Sequence, residues 1–174
     1  MRELARRLNE HEGFADVVSA LSRGQPATLD GVWGSSCALV AAALVPAAAE
    51  LLPAAVGPLV VVCPHQDDID TFCDDFSLFS SIPASRFPAW ESEPSERVLH
   101  DDIHADRLRM LKQLVRGMDA GMSPPAVADA AGRPVAALSP VIATSIQSLL
   151  QPTPSRQRLA ASSRSMGRAK DMSF

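Results

Sequence analysis

Between Cys37 and Cys63 the chain carries a single charged residue, Glu50. A stretch this apolar has to leave water, either in a bilayer or in a protein core. A spanning helix needs about 20 unbroken apolar residues. Here Pro46, Pro53, Gly57 and Pro58 interrupt the run, and its last part, Leu59-Val60-Val61-Val62-Cys63, is rich in β-branched residues and of strand length. The stretch therefore reads as a buried helix followed by a buried strand. Ser35 or Ser36 is positioned to cap the helix, which should reach Leu52, kink or break at Pro46, and stop at Pro53. The strand is apolar at every position. That pattern predicts burial on both faces, as in a parallel sheet covered by helices.

The residues leading into that helix have the layout of a phosphate-binding loop without its chemistry. Such a loop is G-x-x-x-x-G-K-[ST], with the Lys on the β/γ-phosphates and the hydroxyl on Mg²⁺. Counting from Gly31 through Gly34 and Ser35, the second Gly is Ser36, the Lys is Cys37 and the Ser/Thr is Ala38. The turn could still hold an anion on backbone N–H groups. A capped turn with a packed Cys37 is the simpler reading, and no nucleotide, Mg²⁺ or other cofactor is expected.

The remaining chain alternates helix and strand signals. Residues 2–9 and 13–22 read as helices, with stripes Leu4/Leu8 and Phe14/Val17/Val18/Leu21, and Gly24 closes the second helix. Gln25–Asp30 is a short extended piece. After Pro64, Asp67 and Asp68 open a helix whose buried side is Ile69, Phe72, Cys73, Phe76 and Phe79. Ser85–Ala89 reads as a second strand. The pattern predicts a long helix over Val98–Val115, with Leu99, Ile103, Leu108, Leu111, Leu114 and Val115 as its buried stripe. Asp101, Asp102 and Asp106 lie early in it and Arg107, Arg109, Lys112 and Arg116 late, which suits the helix dipole. Residues 117–134 are Gly/Pro-rich and read as a loop insertion. Val141–Thr144 is a third buried strand, and Ser145–Leu150 about one helical turn. The expected architecture is α/β, a short and mainly parallel sheet flanked by helices, like part of a P-loop nucleotide-binding fold. It divides into N-terminal helices (1–23), the α/β unit (24–155) and a Pro/Ser/Arg-rich, flexible tail (156–174).

Net charge of −4 and a pI near 5.5 give no global attraction to nucleic acid, and the absence of Tyr removes a ready stacking surface. The cysteines, Cys37, Cys63 and Cys73, form no C-x-x-C pair. An odd count with no secretory signal suits a reducing cytoplasm. His100 and His104, four apart on the long helix, resemble a metal pair and support an alternative reading as a small metal-dependent α/β enzyme. However, the spacing is His-Asp-Asp-Ile-His and no third ligand follows. The acidic cluster of Asp67, Asp68, Asp70, Asp74 and Asp75 reads as a solvated helix face rather than a cation site. Arg156, Arg158, Arg164, Arg168 and Lys170 make the tail basic, able to touch phosphates non-specifically.

Three blocks together resemble a family: Gly31-Val32-Trp33-Gly34-Ser35-Ser36, then Phe87-Pro88-Ala89-Trp90-Glu91-Ser92-Glu93-Pro94, then the run from Pro140 through Ala143-Thr144-Ser145 to Leu149-Leu150-Gln151. A helix bearing Asp102-Ile103-His104 and Arg107-Leu108 lies between the last two. Over residues 10–155 this is similar to the N-terminal segment of bacterial transcription-repair coupling factors, itself similar to the first domain of the excinuclease component UvrB. In coupling factors the loop is degenerate, as here. The resemblance implies a non-catalytic scaffold for transcription-coupled nucleotide-excision repair. In the full-length family, the partners are the excinuclease component UvrA, RNA polymerase and double-stranded DNA, and an ATP/Mg-driven motor follows. Residues 156–174 then read as the lead-in to a next domain, cut short, with the chain a fragment. Trp90, Glu91, Glu93 and Arg107 are the candidate interaction surface.

Overall fold

The computed structural model describes residues 1–51, 58–90, 101–119 and 141–162. Three parallel strands, β1 (Leu59–Cys63), β2 (Ala84–Phe87) and β3 (Val141–Ser145), form a sheet in the order β1-β3-β2. The last strand in sequence is the central one. Its register sets Leu59 and Ala84 on either side of Val141, and Val62 and Phe87 on either side of Thr144.

That order decides where the helices go. Helix α4 (Asp68–Phe79) carries the chain from β1 past the position of β3 to β2, and α5 (Asp101–Asp119) brings it back. The two steps cross the sheet in opposite directions. Right-handed crossovers therefore send the two helices to opposite faces. On one face Ile69, Phe72, Cys73 and Phe76 of α4 pack with Val141, Ala143 and Cys63, while on the other Met110 of α5 packs with Phe87 and Ile142.

The first face holds the main core. Helices α1 (Arg2–Asn9), α2 (Glu12–Ser22) and α3 (Ser35–Leu51) join α4 there through Ala5, Phe14, Ala38, Ala41, Ala42 and Ala43. The alanines of α3 leave room for close packing of its neighbours. Gly24 ends α2 with a left-handed φ of 71°. Its N–H donates to Leu21 at 2.9 Å and that of Gln25 to Ala20 at 3.0 Å, which together close the last turn. In α1 the buried side is Ala5 with Leu8. Leu4, expected in the stripe, is exposed, and the outer face is laced by Arg6 with Glu3 and Glu10.

Several expectations are corrected. Helix α3 does not break at Pro46. A proline withholds one donor and crowds the preceding turn. The carbonyl that Pro46 leaves without its helical donor is that of Ala42, and the neighbouring Ala43 carbonyl receives a hydrogen bond from Asn9 Nδ2 at 3.1 Å. Pro53 lies outside the described residues. β1 is not buried on both faces: Val60 is 49% and Val62 46% exposed. Among the described residues β1 is an edge strand, and the α5 cluster on that face draws on β2 and β3 alone. β2 stops at Phe87 rather than Ala89, because Pro88 has no N–H to continue a ladder.

Helix α5 is described over Asp101–Asp119, and Val98–His100 of the expected helix lie outside the described residues. It also continues through Gly117 to Asp119, in place of the expected start of a loop. Residues 120–134 of that expected insertion lie outside the described residues. The expected flexible tail instead begins with α7 (Arg156–Ser162), which buries Leu159, after the short α6 (Ile146–Leu150). Residues 163–174, with Arg164, Arg168 and Lys170, lie outside the described residues. Among those described, no helix is long and apolar enough to cross a membrane.

The two faces of β1 should differ in tolerance. Phe76→Ala, at a fully buried ring, should lower unfolding stability by about 3–5 kcal/mol. Val62→Thr, at a half-exposed edge position, should stay within about 0.5 kcal/mol. Urea unfolding of both variants measures the contrast.

Candidate functional site

In parallel α/β sheets, the loops beyond the C-terminal ends of the strands are where ligands and partners are met. Here that rim is built from three segments: Pro64–Asp67 after β1, Pro88–Trp90 after β2, and α6 with Gln151 after β3. They are held together by side chains.

Gln66 is the hub. Its Oε1 accepts from the Ala89 N–H at 2.9 Å, the Ser145 hydroxyl at 3.2 Å and the Ser148 hydroxyl at 3.5 Å. Ser145 is also the N-cap of α6, its hydroxyl accepting from the Ser148 N–H at 3.1 Å. Gln151 completes the set: its Oε1 accepts from the Trp90 N–H at 2.6 Å, and its Nε2 donates to the Trp90 carbonyl at 3.1 Å. Thr144 Oγ1 donates to the Phe87 carbonyl at 2.9 Å. The Arg107 Nη1 group donates to the Pro88 carbonyl.

Each residue of Phe87-Pro88-Ala89-Trp90 thus has a backbone group gripped by a side chain from elsewhere. Pro88 ends the ladder, and buried peptide groups past it still need partners. Thr144, Arg107, Gln66 and Gln151 supply them. The opening between the loops is filled with the chain's own polar side chains, and Thr144, Ser145 and Ser148 are all buried.

Arg107 corrects the expected interaction surface. Its side chain is not on the surface but 1% exposed, the most buried charge among the described residues. Its guanidinium carbon lies 4.3 Å from the centre of the Phe87 ring and 5.0 Å from that of Trp90. Burial holds its pKa below the usual arginine value. The periodicity explains the position: Ile103, Arg107, Met110, Leu111 and Leu114 fall on one helix face, with Arg107 in the middle of the stripe. Trp90 is half-buried. Glu91 and Glu93 lie outside the described residues.

Of the alternative metal pair, only His104 falls among the described residues. His100 lies outside them, and the His104 ring is tilted against Trp90 with centroids 4.9 Å apart. Among the described residues, no group of His, Cys, Asp and Glu could hold a metal ion. Of the acidic cluster, Asp70 and Asp74 face Arg86, at 2.6 and 3.7 Å. Asp68 accepts from the His65 N–H at 3.2 Å.

Asp75 reaches the degenerate loop. The Ser35 hydroxyl donates to Asp75 Oδ2 at 2.7 Å, and that of Ser36 to the Trp33 carbonyl at 2.7 Å. Helix α3 begins at Ser35, so Gly34 rather than either serine stands just before it, at the cap position. Gly31 and Gly34 adopt left-handed φ values of 73° and 55°, which let the chain turn sharply into the helix. Cys37 is exposed on the first turn and Ala38 is packed in the core. A carboxylate thus stands where the helix dipole would favour an incoming phosphate, and repels one. Cys63 and Cys73 are buried, and burial pushes both thiols above their usual pKa.

The sequence points to Trp90 and the Thr144-Ser145 block but does not single out Gln66, Ser148 and Gln151 as fasteners. The available signal is polar residues directly after apolar strands. Comparison with known proteins gives no match to a family model, a curated protein or a solved structure.

Gln66→Leu removes one acceptor and strands the Ala89 N–H, while the Ser145 and Ser148 hydroxyls keep each other at 2.9 Å, so stability should fall by about 1–3 kcal/mol. Gln151→Ala should release Trp90. In a Trp33→Phe background, where Trp90 is the only indole, this should appear as a red-shifted emission maximum.

Proposed function

We propose that this chain is a non-catalytic scaffold domain of the kind that opens bacterial transcription-repair coupling factors. It acts in the cytoplasm in transcription-coupled nucleotide-excision repair, alongside the excinuclease component UvrA, RNA polymerase and double-stranded DNA. Its sheet is then a partial, P-loop-type fold whose nucleotide site has decayed.

One observation carries the reading. Two of the blocks on which the resemblance rests, Phe87–Trp90 and Thr144–Gln151, are remote in sequence yet interlock at the rim. Gln151 clasps the Trp90 peptide, Thr144 holds the Phe87 carbonyl, and Ser145 and Ser148 share Gln66 with Ala89. They are one structural unit, which is what a family signature built on structure requires.

The loop supports the non-catalytic half of the proposal. With Cys37 and Ala38 in place of Lys and Ser/Thr, and Asp75 at the helix start, the phosphate has neither a cation nor a metal bridge. ATP with Mg²⁺ should leave the melting curve unmoved. A ligand at 100 times its Kd would add about 2.7 kcal/mol, so saturable stabilisation by ATP would overturn this part.

Deleting residues 24–155 in the cells that make the protein tests the repair role. The transcribed strand should lose its faster removal of ultraviolet lesions relative to the other strand. An unchanged strand bias would remove the proposal.

A further inference from the structure

We draw no further inference here: the strongest candidate, the exposed apolar face of α6 at the sheet rim formed by Ile146, Leu149 and Leu150, is an unpartnered surface patch, and nothing in the structure shows what covers it.

Discussion

Every strand-to-strand hydrogen bond of the described sheet involves β3. β1 and β2 flank it and do not touch each other. Five buried residues, Val141 to Ser145, therefore have to satisfy two edges and two faces at once. Valine and isoleucine at the start serve the faces, alanine lets helices approach, and Thr144 and Ser145 turn the strand's end into hydrogen bonds. The strand that makes the sheet arrives last in the chain, so its partners must be held in place before it docks. Helix α4, packed against α3 and α1, provides that support for β1 and β2. Such non-local closure carries the loop entropy of the long connection and is slow by nature.

The same constraint separates what is legible in the sequence from what is not. Helices with an apolar side, such as α4 with Ile69, Phe72, Cys73 and Phe76, are written in local periodicity and can be read from it. β1 is recognisable as a strand, but its sheet position is not a local property. A Val-Val-Val run looks the same at an edge as at a centre, and the edge leaves Val60 and Val62 half-exposed. Pro46 looks like a break because a local rule weighs its missing donor alone, yet the helix runs through it. The helix α5 stripe is legible at Leu111 and Leu114, but a rule that counts only apolar residues passes over its centre. Arg107 occupies a core position that its charge conceals.

The rim is the least legible part, for a related reason. Gln66 and Gln151 have no chemistry that singles them out, and both follow strands as ordinary polar punctuation. Their importance is created by Pro88. Once that residue ends the ladder, four consecutive peptide units need side-chain partners, and a glutamine can both donate and accept. Resemblance picks out the blocks that interlock, but only the geometry explains why those residue types belong together.

Two charges set the character of the domain, one at the loop and one at the rim. At the loop, Asp75 places a negative group by Ser35 at the start of α3, where a phosphate would have to sit. At the rim, Arg107 places a positive group among aromatic rings with a fork unfilled among the described residues. A P-loop domain has the opposite distribution, with a cation at the helix start to meet phosphate. Here the cation lies beyond β2 instead, beside a crevice already occupied by the chain's own serines and glutamines. A planar guanidinium fork of this kind meets paired oxygens of a carboxylate or of a phosphate alike. What separates the Gly31–Ala38 turn from a phosphate-binding loop is the placement of charge.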